Sequence, residues 1–430
     1  MVKKEYRLKG NPTQGLIGAT FGFFIGFAAV ALYGPAAKNF KEIMGLTGVM
    51  MGILVAIPQL TGSLLRIPFG AWVDKVGGKK PFVVLFVLSL IGMSGLTFIL
   101  INYYPDRMDL RMYPFVLLFG VLSGCGVATF SVGIPQTSYW FPKSKQGLAL
   151  GAYAGLGNTA PGFFTILLPI ALSTLGLPKA YALWFIILLT GTIIYVLIAQ
   201  DAYYFQLIKQ GYSRQEAIEI STSLGQELIP SGALVDALKK SAMIGRTWAL
   251  VLLYFTSFGG FLALTTWFPS YWSIFHGVSI KTAGLLTALC FSLLASFIRV
   301  FGGAVSDRIG GEVTSIISFF IVLLGALILM FSYTFTPSLI GEILIGTGMG
   351  IANAAVFKLV PKYVPEAIGG ASGWIGGLGA FGGFIVPPIL GIFLDIYGRT
   401  GYAKGFIVYA ILALVCIIIS FYIIKRYSKA

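Results

Sequence analysis

Arg66-Ile-Pro-Phe-Gly70-Ala-Trp-Val-Asp74-Lys75-Val-Gly77-Gly78 recurs, displaced by 233 residues, as Arg299-Val-Phe-Gly-Gly303-Ala-Val-Ser-Asp307-Arg308-Ile-Gly310-Gly311. Each copy begins with an arginine inside a long apolar run and ends in a short charged, glycine-rich turn. A guanidinium in an apolar helix is costly, and it cannot shed its charge. Two of them, related by an internal repeat, point to a central site at which Arg66 and Arg299 hold an anion from opposite halves of the chain.

The rest of the chain fits a membrane setting. Of its 430 residues, 57% are hydrophobic and only 10% charged, with a mean hydropathy of +0.88. A soluble protein carries far more charge. The apolar runs are long and continuous rather than alternating, which argues against a β-barrel and predicts an all-α polytopic membrane protein. The 55 glycines suit closely packed membrane helices. About twelve spans fit, near 15–37, 45–72, 80–101, 113–134, 146–173, 180–200, 247–270, 282–305, 312–333, 337–358, 369–394 and 403–424. They divide into an N-terminal six-helix bundle (1–200), a polar linker (201–245) and a C-terminal six-helix bundle (246–430). In the linker, Ser213-Arg-Gln-Glu216 reads as a capping box that opens a short amphipathic helix.

A net charge of +15 would suggest nucleic acid in a soluble protein. Here it reads as topology, and no nucleic-acid partner is expected. With the N-terminus placed inside, 20 of the 30 Lys and Arg flank the spans on that side, among them Lys3, Lys4 and Lys429. Eight lie on the other side, and the remaining two are Arg66 and Arg299. The positive-inside rule then places both termini in the cytoplasm of a multi-pass protein of the plasma or inner membrane. Cys125, Cys290 and Cys416 all fall in apolar runs, and the single histidine, His276, lies in a loop, so neither a metal nor another cofactor is expected.

A second repeat supports the two-half reading. Gly151-Ala-Tyr-Ala-Gly155-Leu-Gly157 in span five matches Gly373-Trp-Ile-Gly-Gly377-Leu-Gly379 in span eleven. Glycines four apart share a helix face and let another backbone approach. These six are expected to pack helices closely and to let the halves slide during alternating access. Helix order and sidedness are the same in both halves, which makes the repeat parallel.

The segment from Gly70 through Asp74 to Lys80 resembles the signature loop of the major facilitator superfamily, with Gly303 and Asp307 as its partners in the second half. This resemblance implies a cytoplasmic latch in which Asp74 and Asp307 accept hydrogen bonds from neighbouring helix ends. Within that superfamily the chain resembles the nitrate/nitrite porter family from end to end. The match is strongest at Phe141-Pro-Lys-Ser-Lys-Gln-Gly147 and on through Gly151 to Ala154-Gly-Leu-Gly-Asn158. It departs at Thr159-Ala160-Pro161-Gly162, where a proline is expected to bend span five.

The resemblance implies a carrier of nitrate and nitrite. Nitrate is planar and singly charged, and a guanidinium fork offers matching planar donors. Arg66 lies eight residues, about 12 Å, along its helix from Asp74. That depth is close to the middle of an apolar core of about 30 Å. By position, Phe130 and Phe258 correspond to aromatic walls on the faces of the anion. Tyr254, one turn before Phe258, can donate through its hydroxyl, and Asn158 through its amide. The favoured transport mode is nitrate/nitrite exchange by a monomer, because two guanidiniums without an anion repel each other. Proton-coupled nitrate symport remains open, with Glu342 the one acidic residue well inside a span. So does a small-carboxylate carrier, although span eleven lacks the lysine such a carrier would be expected to use. Neither a nucleophile–base pair nor a phosphate loop suggests an enzyme.

Overall fold

The computed structural model describes residues 6–228, 230 and 234–427, and all regular structure among them is helical. Lys3, Lys4 and Lys429 lie outside the described residues, as do positions 229 and 231–233 of the linker. Eleven helical stretches are long and apolar enough to cross a membrane. One of them, Ser144–Ile198, has 55 residues and would extend about 80 Å as a straight helix, far beyond an apolar core of about 30 Å. Gly176 breaks it, with φ 74° and ψ 170°. Phe164 and Trp184, on either side of that break, bring their rings to 5.0 Å. The stretch is therefore a helical hairpin, and the chain makes the twelve crossings expected.

In order, the spans are Pro12–Met44, Gly48–Val76, Lys79–Tyr103, Leu110–Trp140, 144–175, 177–198, Gly245–Phe275, Ile280–Ile309, Gly311–Phe331, Phe335–Tyr363, Pro365–Lys404 and Ile407–Arg426. Large apolar side chains such as Phe98, Leu197 and Phe331 point outward and are more than half exposed. A surface of this kind belongs against lipid rather than water.

The described residues of the linker form three helices, Tyr203–Lys209, Arg214–Ser223 and Leu234–Ala242. The second opens on the expected capping box: Ser213 Oγ accepts from the Glu216 N–H, and Glu216 Oε2 from the Ser213 N–H. The third docks on the start of span eleven, where Trp374 Nε1 donates to the Leu238 carbonyl at 3.0 Å. The N-terminal segment joins the same face, because Gln206 Nε2 donates to the Lys9 carbonyl at 2.7 Å. The last turn of span twelve also ends there, with Tyr422 and Ile423 beside Ile244 and Arg246. Both described ends of the chain therefore lie at the linker face.

Packing between the halves is dense at the end away from the linker and sparse at the linker end. At the far end, backbones touch. A Cβ on Gly52 would lie 2.7 Å from Pro388 Cα, and one on Gly34 would lie 3.0 Å from Thr266 Cα. Asp395, at the end of span eleven, accepts from the Gly48 and Val49 N–H groups at 2.5 and 2.9 Å. Those two N–H groups open span two, so the carboxylate also meets the positive end of its dipole. Toward the linker end, Gly147, Gly151, Gly155 and Gly303 face open space. The molecule is thus closed at the far end and loosely joined at the linker end.

Candidate functional site

Span two is not one continuous helix. It runs Gly48–Leu64, turns at Leu65, and restarts as Arg66–Val76. Pro68 has no N–H to donate to the Leu64 carbonyl, so the ladder is interrupted one turn before it. Arg66 sits at that break, 2% exposed. Its Nε donates to the Gly62 carbonyl at 3.0 Å, and its Nη1 donates to the Gly376 carbonyl of span eleven at 3.1 Å. Gly376 lies in a π-helical turn, Ile375–Gly379. Such wide turns disturb the usual ladder and recur at functional positions. Nη2 of Arg66 has no partner among the described residues.

Around this guanidinium the chain gathers aromatic faces. The Arg66 Cζ lies 4.8 Å from the Phe130 ring centroid, 5.2 Å from that of Phe258 and 6.0 Å from that of Phe27. Arg299 approaches the same Phe258 ring at 5.9 Å. Two cations thus share one ring, close enough to repel each other. Among the described residues neither pairs with a carboxylate. Desolvated cation–π contacts contribute about 2 kcal/mol each and offset part of the burial cost. Tyr254 stacks on Phe258 at 5.0 Å, with 11° between the planes. Its hydroxyl is buried, faces the Arg299 guanidinium and lies within electrostatic reach of both arginines.

Asn158 caps the first part of span five, which breaks at Asn158–Thr159 immediately before Pro161. Its Nδ2 makes a long 3.4 Å bond to Ser296 Oγ, while Ser296 Oγ donates to the Asn158 carbonyl at 3.0 Å. Ser296 is on span eight, one turn before Arg299, so Asn158 is tied to the helix that carries the second arginine. Asn158 Oδ1 and Arg299 Nη1 are buried without partners among the described residues.

The expected latch residues lie outside this cluster. Tyr139 Oη of span four donates to Asp74 at 2.6 Å, and Lys358 Nζ of span ten donates to Asp307 at 2.6 Å. Each aspartate thus links the second and fourth helices of its own half. Gly77 and Gly310 have φ of 84° and 88°, conformations open to glycine, and they form matching turns. A Cβ on Gly70 would lie 3.4 Å from the Ser131 carbonyl, whereas one on Gly303 would meet nothing. Of the six repeat glycines, Gly157 packs on Phe23, Gly377 on Ile67 and Gly379 on Tyr254, and Gly373 approaches Leu238; Gly151 and Gly155 pack on nothing here.

Phe27, Ser296 and the Gly376 carbonyl also belong to this cluster, although the sequence does not single them out. Ser296 could have been found as the polar residue one turn from Arg299. A main-chain carbonyl leaves no trace in a residue pattern.

The family model described as the Major Facilitator Superfamily matches residues 19–387 and, separately, 276–430. The chain belongs to the major facilitator superfamily. Among its relatives, a protein of Thermus thermophilus named as a probable nitrate/nitrite antiporter is 32% identical, with 86% of this chain and 83% of that protein covered. The nitrite extrusion protein of Bacillus subtilis is 28% identical, with 85% and 82% covered. These relatives place the chain in the nitrate/nitrite porter family. Among solved structures, the xylose transporter of E. coli in a partially occluded, inward-open conformation superposes with a TM-score of 0.71 at 14% identity, over 97% of this chain and 99% of that one. The chain thus shares the fold of that structure.

Proposed function

We propose that this protein carries nitrate and nitrite across the cell membrane by alternating access, exchanging one for the other, with both termini in the cytoplasm. The observation that carries this reading is the pair Arg66 and Arg299, drawn from opposite halves to within 5.2 and 5.9 Å of the one Phe258 ring. An oxyanion between them would join the halves and relieve the repulsion of two cations. The relatives named for nitrate and nitrite support the choice of anion.

The geometry also bears on how an anion would enter. Phe130 and Phe258 are 6.0 Å apart with 29° between their planes. A planar anion between two rings needs about 7 Å, twice a carbon contact distance. Binding therefore spreads the rings, and the free Nη2 of Arg66 is the donor at hand for the anion. In this reading Asp74 and Asp307, with Gly70 and Gly303, set the linker-end latch, and the site works in a monomer.

A proton-coupled mode has one specific observation in its favour. Glu342, fully buried in span ten, accepts from Trp272 Nε1 at 2.8 Å and has no cation partner among the described residues. One experiment separates the modes. Nitrate entry into proteoliposomes loaded with nitrite is compared with entry into empty ones under an acid-outside gradient. Entry only with nitrite inside establishes exchange; equal entry into empty vesicles overturns it in favour of proton coupling.

A further inference from the structure

The arginine pair does not exhaust the unpartnered polar groups of the core. Gln59 of span two is 0% exposed, and neither its Oε1 nor its Nε2 has a hydrogen-bond partner among the described residues. It precedes Arg66 by seven residues, just under two helical turns. It lies on the far-end side of the break at Leu65, about 10 Å nearer the far end. Its stem reaches the other half: a Cβ on Gly383 of span eleven would lie 3.2 Å from Gln59 Cγ and 2.8 Å from Leu262 Cβ of span seven. The amide thus sits at the seam where spans two, seven and eleven meet, between the arginine pair and the closed far end.

Burying an amide with no partner costs about 1–3 kcal/mol. A leucine at this position would fill similar space without that penalty, so packing gives no reason for the glutamine. The amide carries two N–H donors and no charge. It can solvate an oxyanion in passing without holding it as a guanidinium does. Arg66 Nη2, also unpartnered, lies just beyond the break, so span two carries free donors at both places.

We propose that Gln59 is a second oxyanion contact, a station between the arginine pair and the mouth that is closed in this structure. The proposal rests on the reading of this chain as an anion carrier. When the halves part at the far end, the seam of spans two, seven and eleven opens and exposes the amide to the pathway. A nitrate or nitrite ion moving between that mouth and the arginines then exchanges part of its hydration for the Gln59 N–H groups. At the linker end the ion reaches the arginines without passing Gln59.

The test uses purified full-length protein in vesicles sorted by orientation, with Gln59→Leu and Gln59→Asn beside the wild type. The half-saturating nitrate concentration is measured at each face with nitrite saturating on the opposite side. Gln59→Leu is expected to raise the far-face value about fivefold, the loss of one hydrogen bond, and to leave the linker-face value unchanged. Gln59→Asn, the conservative variant, is expected to show the same asymmetry at smaller size, and it carries the test if the leucine variant does not insert. Values unchanged at both faces, or changed equally at both, overturn the proposal while leaving the transport reading intact. A wild type that moves neither anion overturns the transport reading and this proposal with it.

Discussion

Arg66 in span two donates from Nη1 to the carbonyl of Gly376 in span eleven at 3.1 Å, joining the two halves across the middle of the molecule. The same guanidinium keeps Nη2 free for an anion. One side chain therefore serves both the cross-half bond and the site, which ties occupancy of the site to the packing of the halves. A lysine at 66 keeps the charge but has neither the planar fork nor the reach to serve ring, carbonyl and anion together. Arg66→Lys is expected to lower nitrate exchange at least about 100-fold, a loss on the order of 3 kcal/mol, and Arg299→Lys to do the same. Uptake normalised to inserted protein checks this. Normal exchange by either variant removes the two-fork site.

Asn158 makes a smaller contribution. Its bond to Ser296 Oγ is long at 3.4 Å, and its Oδ1 is unpartnered among the described residues. Little stability depends on the side chain, and its amide remains available to an oxyanion. Asn158→Ala is expected to weaken nitrate affinity about fivefold, near 1 kcal/mol, with an unchanged melting temperature. Equilibrium binding and a thermal melt on the same preparation separate the two effects. A fall in melting temperature without loss of affinity would give the residue a structural role only.

Much of this was legible in the residues. Continuous apolar runs have the length of a bilayer crossing, so the twelve spans could be read directly. The displaced copies around Arg66 and Arg299 marked the two halves and their shared centre. The sequence could not give the details that depend on backbone departures from regular helix. The break at Leu65 and the π turn at Ile375–Gly379 bring the Gly376 carbonyl to Arg66, and no side-chain pattern encodes that meeting. Gln59 does not stand out in the sequence, because one amide in an apolar span reads as an ordinary packing residue until its neighbours are known. The repeat glycines show a further limit. Gly379 packs on Tyr254 while Gly151 meets open space, because a carrier closed at one end leaves the other end's contacts unmade.

His276 follows span seven, outside the membrane segments, and predicts a pH effect on stability. Burial, with Arg399 nearby, lowers its pKa to about 4 from the usual value near 6.5. The unfolded chain therefore binds a proton between these values that the folded chain does not. Stability from this group is complete above about pH 6.5 and falls as the pH drops toward 4. His276→Gln is expected to flatten the melting temperature across that window and to leave exchange at pH 7.5 unchanged. An unaltered slope would assign the acid sensitivity elsewhere.

Asp395 holds the far end closed from the opposite half. Its two oxygens accept from the Gly48 and Val49 N–H groups at 2.5 and 2.9 Å. Asparagine keeps one acceptor but loses the charge that favours a helix N-terminus. Asp395→Asn is expected to weaken closure by about 1 kcal/mol, raising the population open at the far end about fivefold. Labelling of a cysteine placed in the far-end seam, in a background without the native cysteines, reads that population. Unchanged labelling would leave Asp395 no part in the closure.

Closure at the far end also requires glycine where the backbones touch. A Cβ on Gly391 would lie 2.6 Å from the Gly48 carbonyl carbon and 2.8 Å from Val49 Cα. Both neighbours are main chain in the first turn of span two and cannot rotate aside as a side chain would. Gly391→Ala is therefore expected to fold, because alanine favours the helix that residue 391 occupies, yet to hold the far end apart. Nitrate should still bind from that side, while exchange falls at least about tenfold, the effect of roughly 1.4 kcal/mol against the closed state. Gly245, with nothing within 4 Å of its would-be Cβ, supplies the control, and Gly245→Ala should exchange at the wild-type rate. Full exchange by Gly391→Ala would mean that the far end closes through other contacts and that the Gly48–Gly391 approach is incidental to the cycle.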